Sequence, residues 1–131
     1  MVRLHTYRAR TMTTHNKTIG AFGEKAVADF LILRGATIID RNWRIKEGEI
    51  DLVALMPTGV IAFVEVKTRR SYAFGHPLDS ITSDKALRLQ RLALAWLVTH
   101  NSFGREYHID CAAVLVAENG SHAIEYRAEV L

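Results

Sequence analysis

Three carboxylates and an amine stand in an otherwise apolar stretch from Gly48 to Arg69: Glu49, Asp51, Glu65 and Lys67. Side chains two apart on a strand share a face, so Glu49 points with Asp51 and Glu65 with Lys67. Between the two pairs, Met56, Pro57, Thr58, Gly59 and Val60 form a turn candidate. Pro suits the second position of a type I turn, and Gly the left-handed residue after it. If Met56 pairs with Val60, Asp51 falls opposite Glu65 and Glu49 opposite Lys67. Directly opposed side chains lie about 5 Å apart, and two carboxylates at that distance repel by roughly 3 kcal/mol at an effective dielectric near 20. A cation or a raised pKa has to offset that repulsion. Two plainer alternatives exist: the carboxylates lie at a solvated strand end, or Glu49 and Lys67 form an ordinary cross-strand ion pair. Strained carboxylate pairs cluster at functional sites, which favours a chemical role.

The elements that must position these groups follow from periodicity. Ile50, Leu52, Val64 and Val66 make one face of the hairpin apolar, and Val53, Leu55, Ile61 and Phe63 the other. A hairpin apolar on both faces belongs in the middle of a sheet. Lys17 to Arg34 reads as a helix with Ile19, Phe22, Ala26, Phe30 and Leu33 on one side and Gly35 placed to end it. Glu24 falls in its first two turns, where a carboxylate is favoured by the helix dipole. Gly20 and Gly23 would allow close approach to the sheet. Ala36 to Arg44, Glu49 to Leu55, Val60 to Arg69, Tyr107 to Ala117 and Ala123 to Tyr126 read as strands. Ser83 or Thr82 caps a second helix running to about His100, with Asp84 in its first turn. Its leucines and Trp96 occupy more than one stripe, which predicts deep burial or self-association as a homodimer. The result is an α/β domain with a mixed sheet of four to five strands flanked by helices, the second helix permitting a parallel crossover.

A helical Glu, an Asp on one strand of a hairpin and a Glu-x-Lys on the next resemble the PD-(D/E)xK nuclease signature. Five ordered blocks carry a closer likeness: Gly20 to Glu24 (GAFGE), Asn42 to Arg44 (NWR), Gly48 to Val53 (GEIDLV), Phe63 to Arg69 (FVEVKTR) and Gly75 to Lys85 (GHPLDSITSDK). Over about residues 17 to 117 the chain resembles the YraN family of small bacterial endonuclease-like proteins, similar in fold to Holliday junction resolvases. Ile50 replaces the Pro of the name-giving PD, and the first sixteen residues match nothing in the family pattern.

The resemblance implies a restriction-endonuclease-like three-layer domain and a Mg²⁺- or Mn²⁺-dependent endonuclease acting on branched or single-stranded DNA. It implies that Asp51, Glu65 and the carbonyl of Val66 bind the metal, with Glu24 reaching it through water. Lys67 would orient the attacking water and neutralise the transition state, with Glu49 setting the position of Lys67. Arg69, Arg70, Lys85 and Arg88 are candidate phosphate contacts, which position DNA without reading sequence. Tyr72 and Phe74, beside Arg69 and Arg70, suit either stacking on an unpaired base or loop anchoring. His76 reads as a solvated loop residue, and Asp110 as a partner for a Lys or Arg near the site. Another class of function uses the same fold: a nuclease-like scaffold that binds nucleic acid or a protein and cleaves nothing.

With 131 residues, 49% of them hydrophobic, the chain suits one globular domain. Its formal charge of +3 belongs to the start: Arg3, Arg8, Arg10 and Lys17 precede the first acid, leaving 13 basic against 14 acidic residues from Thr18 onward. Residues 1 to 16 read as a mobile basic arm, and residues 17 to 131 as the endonuclease-like domain. A transit-like leader, a chain start misplaced ahead of Met12 and an arm that holds phosphates all fit the arm's composition. Cys111 is alone, which excludes an intramolecular disulfide and a cysteine zinc site. No apolar run approaches the ~20 residues that span a bilayer, so a cytoplasmic protein without membrane contact is expected.

Overall fold

The computed structural model describes residues 2–5, 16–71 and 75–131. Its elements follow in the order β1 (Val2–His5), α1 (Asn16–Leu33), β2 (Thr37–Ile45), β3 (Gly48–Leu55), β4 (Ile61–Arg69), α2 (Ser83–Thr99), β5 (Tyr107–Val116) and β6 (His122–Arg127), with a 3-10 turn at Pro77–Ser80 before α2. The strands form one sheet in the order β1-β6-β5-β4-β3-β2. The five expected strands are present, and Val2–His5 adds a sixth at the free edge of β6, pairing antiparallel from Val2↔Glu125 to His5↔His122. Part of the expected arm is therefore sheet; Met1 and residues 6–15 lie outside the described residues, as do Tyr72 and Phe74.

Three loop residues set the register at the sheet centre. The Met56 N–H donates to Val60 O at 2.9 Å, the Gly59 N–H donates to Met56 O at 2.9 Å, and Gly59 takes φ +90°. That left-handed residue closes the type I turn and returns the chain into the ladder. The hairpin then pairs Leu55↔Ile61, Ala54↔Ala62, Val53↔Phe63 and Leu52↔Val64, as the Met56–Val60 pairing predicts.

Because strand side chains alternate, the two faces of the hairpin feed separate cores. Leu52, Ala54, Ala62 and Val64 meet Val27, Phe30 and Leu31 of α1, whereas Val53, Ile61 and Phe63 meet Leu89, Leu92, Trp96 and Leu97 of α2. This is the α/β three-layer arrangement expected, with β3 and β4 inside the sheet. The step from β4 to β5 is parallel, Ile61↔Tyr107 through Arg69↔Leu115, and α2 lies in the crossover. Thr82 caps α2, its hydroxyl accepting from the Lys85 N–H at 3.3 Å. Most of the apolar surface of α2 is buried, but Leu87 and Val98 remain 46% and 57% exposed. Among the described residues, no helix is long and apolar enough to cross a membrane.

Candidate active site

Beyond Leu52↔Val64 the paired register of the hairpin stops, and a side chain takes over from the main chain. The Val66 N–H donates to Asp51 Oδ2 at 2.8 Å. Asp51 is only 8% exposed. Burial first, then a hydrogen bond to Glu65 and the charges of Glu65 and Glu24, push its carboxyl up to about 8, against the opposing pull of the Val66 N–H. Burial and the neighbouring carboxylates thus favour the protonated form of Asp51, which is hydrogen-bonded to Glu65. The repulsion foreseen across the hairpin is resolved by protonation.

Lys67 Nζ lies 3.5 Å from Glu65 Oε2, both side chains being about three-quarters buried. Glu24 reaches the same cluster from α1: burial raises its pKa, the Asn42 amide bonded to it lowers it, and the charges of Glu49 and Glu65 raise it again. Four carboxylates thus converge at one end of the sheet. Glu49 departs from expectation. It does not serve Lys67 but accepts from Arg44 on the neighbouring β2, the guanidinium Nε at 3.0 Å and Nη2 closer still. The strands diverge past Asp51, so the Arg44↔Glu49 pairing of β2 and β3 decides its partner.

Helix α1 can bring Glu24 this far because Gly23 packs against β4. A Cβ at Gly23 would stand 1.8 Å from Thr68 Oγ1 and 3.0 Å from Thr68 Cβ. Gly23→Ala must therefore displace Thr68 or lift the helix from the sheet. We expect a loss of about 1–3 kcal/mol in urea unfolding; an unchanged midpoint and slope would show that the helix does not depend on this contact.

The donor set has the chemistry of a hard-cation site. Asp51 and Glu65 would hold a divalent ion, with the Val66 main chain alongside, and Glu24 would hold a water of its shell. Among the described residues, no three His, Cys, Asp or Glu side chains form a cage by themselves.

Residues 23–114 match the family described as Uncharacterised protein family UPF0102. The chain belongs to UPF0102. It is similar to the UPF0102 protein of Beutenbergia cavernae, 45% identical over 108 residues, with 82% of this chain and 91% of that protein covered. It is also similar to that of Clavibacter michiganensis subsp. michiganensis, 42% identical over 112 residues, with 86% and 94% covered. A distant likeness in fold is found to the solved structure of Pyrococcus furiosus SfsA in complex with Ca²⁺, with a TM-score of 0.35 and 18% identity, covering 86% of this chain and 61% of that one.

The UPF0102 segment takes in Glu24, Asp51, Glu65 and Lys67, together with a site residue not singled out from the sequence, Asn42. Flanked by Arg41↔Leu52 and Trp43↔Ile50, it lies across from Asp51 on β2 with φ +50°. Asn tolerates that conformation better than most residues and is poor in strands. A lone Asn inside a strand pattern is the signal that could have found it.

Arg69 and Arg70 are exposed at the end of β4, and Lys85 and Arg88 are exposed on α2. His76 is not a solvated loop residue. Its Nδ1 accepts from the Leu78 N–H at 3.0 Å and caps the 3-10 turn, which leaves Nε2 to donate to Glu125 at 3.1 Å. Among the described residues, Asp110 forms no ion pair with a Lys or Arg either. Fully buried, it accepts from the Tyr126 hydroxyl and the Glu129 N–H and bonds His108, tying β5 to β6 and the segment after it.

Proposed function

We propose that this UPF0102 chain is a metal-dependent nuclease that hydrolyses DNA phosphodiester bonds, preferentially in branched or single-stranded DNA. The observation that carries the reading is the buried Asp51 carboxyl, hydrogen-bonded to Glu65, with the Lys67 amine 3.5 Å from Glu65. A proton held at that cost is one that a divalent cation displaces. When bound, such an ion supplies Lewis-acid polarisation of the phosphate and a more acidic water. The protein's own groups do the rest. Asp51 and Glu65 fix the site on two rigid central strands, and Glu24, steadied by Asn42, orients water from the helix side. Lys67 aligns the attacking water and meets the negative charge that develops on the phosphate, where a preorganised donor is most effective. Arg69 and Arg70 continue β4 outward, and Lys85 and Arg88 offer further phosphate contacts. A cytoplasmic location accords with DNA as the substrate.

The test is incubation with branched, flapped, single-stranded and duplex DNA in Mg²⁺, Mn²⁺ or EDTA, alongside Glu65→Ala. We expect cleavage that requires the metal and disappears in the variant. Activity that survives EDTA or Glu65→Ala would be contamination, and no cleavage of any substrate would leave a binding scaffold as the better reading.

A further inference from the structure

Between α2 and the β2–β3 turn lies a groove of about 360 Å³ lined by Ile45, Glu47, Arg88, Arg91, Leu92 and Ala95. Its size falls within the ~300–1,000 Å³ that small-ligand sites occupy. Ile45, Leu92 and Ala95 make an apolar floor. The turn sits close to the helix, since a Cβ at Gly48 would lie 3.1 Å from Leu92 Cδ1. Arg88 and Arg91 stand three residues apart on α2 and share one side of it. Both are exposed, and neither forms a salt bridge among the described residues. Glu47 supplies an acceptor at the opposite wall.

We propose that this groove holds an unpaired nucleotide of the DNA strand, a few nucleotides from the scissile bond. The inference rests on the nuclease reading and deepens it by naming what the protein recognises. A flat apolar floor takes the face of a base, and guanidinium planes both stack on bases and pair with phosphate. Glu47 can accept from a base-edge donor, the N3–H of thymine or the exocyclic amine of the other bases, and its charge works against a bare phosphate at that wall. Glu47 lies in the turn that opens β3 and precedes Asp51 by four residues, at most about 13 Å at 3.3 Å per residue, so one strand of DNA can reach both places. A base inside a duplex cannot present its face, so the groove selects unpaired strands.

The test uses fluorescence anisotropy in EDTA, with oligothymidylate and a fully paired hairpin of equal length as probes. Ala95→Phe fills the groove from the helix side, with Ala95→Leu as a milder version should the first fail to fold. We expect either variant to weaken oligothymidylate binding by about tenfold, the scale of one lost base contact, and to leave hairpin affinity unchanged. Arg88→Ala with Arg91→Ala should reduce the logarithmic salt slope on the single strand by about 1.4, at ~0.7 per contact. If filling the groove leaves the ratio of single-strand to hairpin affinity unmoved in a protein that binds DNA, the groove assignment fails and the nuclease reading stands. If the fill instead dissolves a concentration-dependent dimer and spares oligonucleotide binding, the occupant is a second copy and the proposal is overturned. A parent protein that neither binds nor cleaves any DNA overturns both.

Discussion

Lys67→Met is expected to slow DNA cleavage by about a thousandfold while the protein still folds and still binds its substrate. Methionine keeps most of the apolar stem and removes the charge, so packing around the partly buried side chain should survive. What is lost is a cation 3.5 Å from Glu65 that, on the nuclease reading, meets the charge developing on the phosphate. Removing one preorganised stabilising group of this kind typically costs about 10²–10³ in rate. The effect should therefore fall on kcat, with KM changed by no more than a single phosphate contact would change it. Single-turnover cleavage measured over a range of enzyme concentrations in excess of DNA separates the two quantities. Lys67→Arg keeps the charge but replaces a compact ammonium by a planar fork, and should recover only part of the rate. If Lys67→Met cleaves within a few-fold of the parent, the amine is merely the ion-pair partner of Glu65.

The part of this site that the sequence discloses is the part fixed by local geometry. Pro57 and Gly59 choose a three-residue turn, and the turn chooses the register as far as Leu52↔Val64; at Asp51 the expected alternation breaks, because Ile50 packs with Val53 against α2 instead of sharing the α1-facing side with Leu52. Each step up to that point involves neighbours in the chain. Glu49 marks where that logic ends: once the Val66 N–H turns to the Asp51 side chain, the strands separate, and the β2 register hands Glu49 to Arg44. No spacing within the hairpin encodes that competition. The partners of Asp110 are hidden for a related reason, since Tyr126 and Glu129 reach it through the pairing of β5 with β6 and the chain beyond. Helix limits were legible to within about a residue because Gly35 and Thr82 are local signals with local physics. His76 could have been read as a cap from the Pro that follows it, but its contact with Glu125 depends on a strand almost fifty positions away.

Asp51→Asn is expected to stabilise the metal-free protein by up to about 4 kcal/mol at neutral pH, because it removes a carboxyl that must either stay protonated or ionise in a buried place. The amide is isosteric and satisfies both neighbours, its oxygen accepting from the Val66 N–H and its nitrogen donating to Glu65. The sign follows from proton binding. In the unfolded chain Asp51 titrates near its ordinary value of about 3.9, whereas in the folded protein it holds its proton up to about 8. Between those values the folded state binds more protons than the unfolded one, so the parent loses stability as pH rises, by at most about 1.4 kcal/mol per pH unit. Below about pH 4 both states are protonated at this position and the parent's disadvantage vanishes. Above about pH 8 it reaches its full size. Saturating Mg²⁺ should shrink or invert the order, since an ion that binds the folded parent at a hundred times its Kd adds about 2.7 kcal/mol, and the amide is a poorer ligand. Thermal or urea unfolding of both proteins across this pH range, in EDTA and in Mg²⁺, reads all four limits. A parent that is the more stable protein in EDTA at neutral pH, or a difference that does not change with pH, would mean that Lys67 already compensates the pair and that the carboxylates form a settled structural network rather than a cation-binding one.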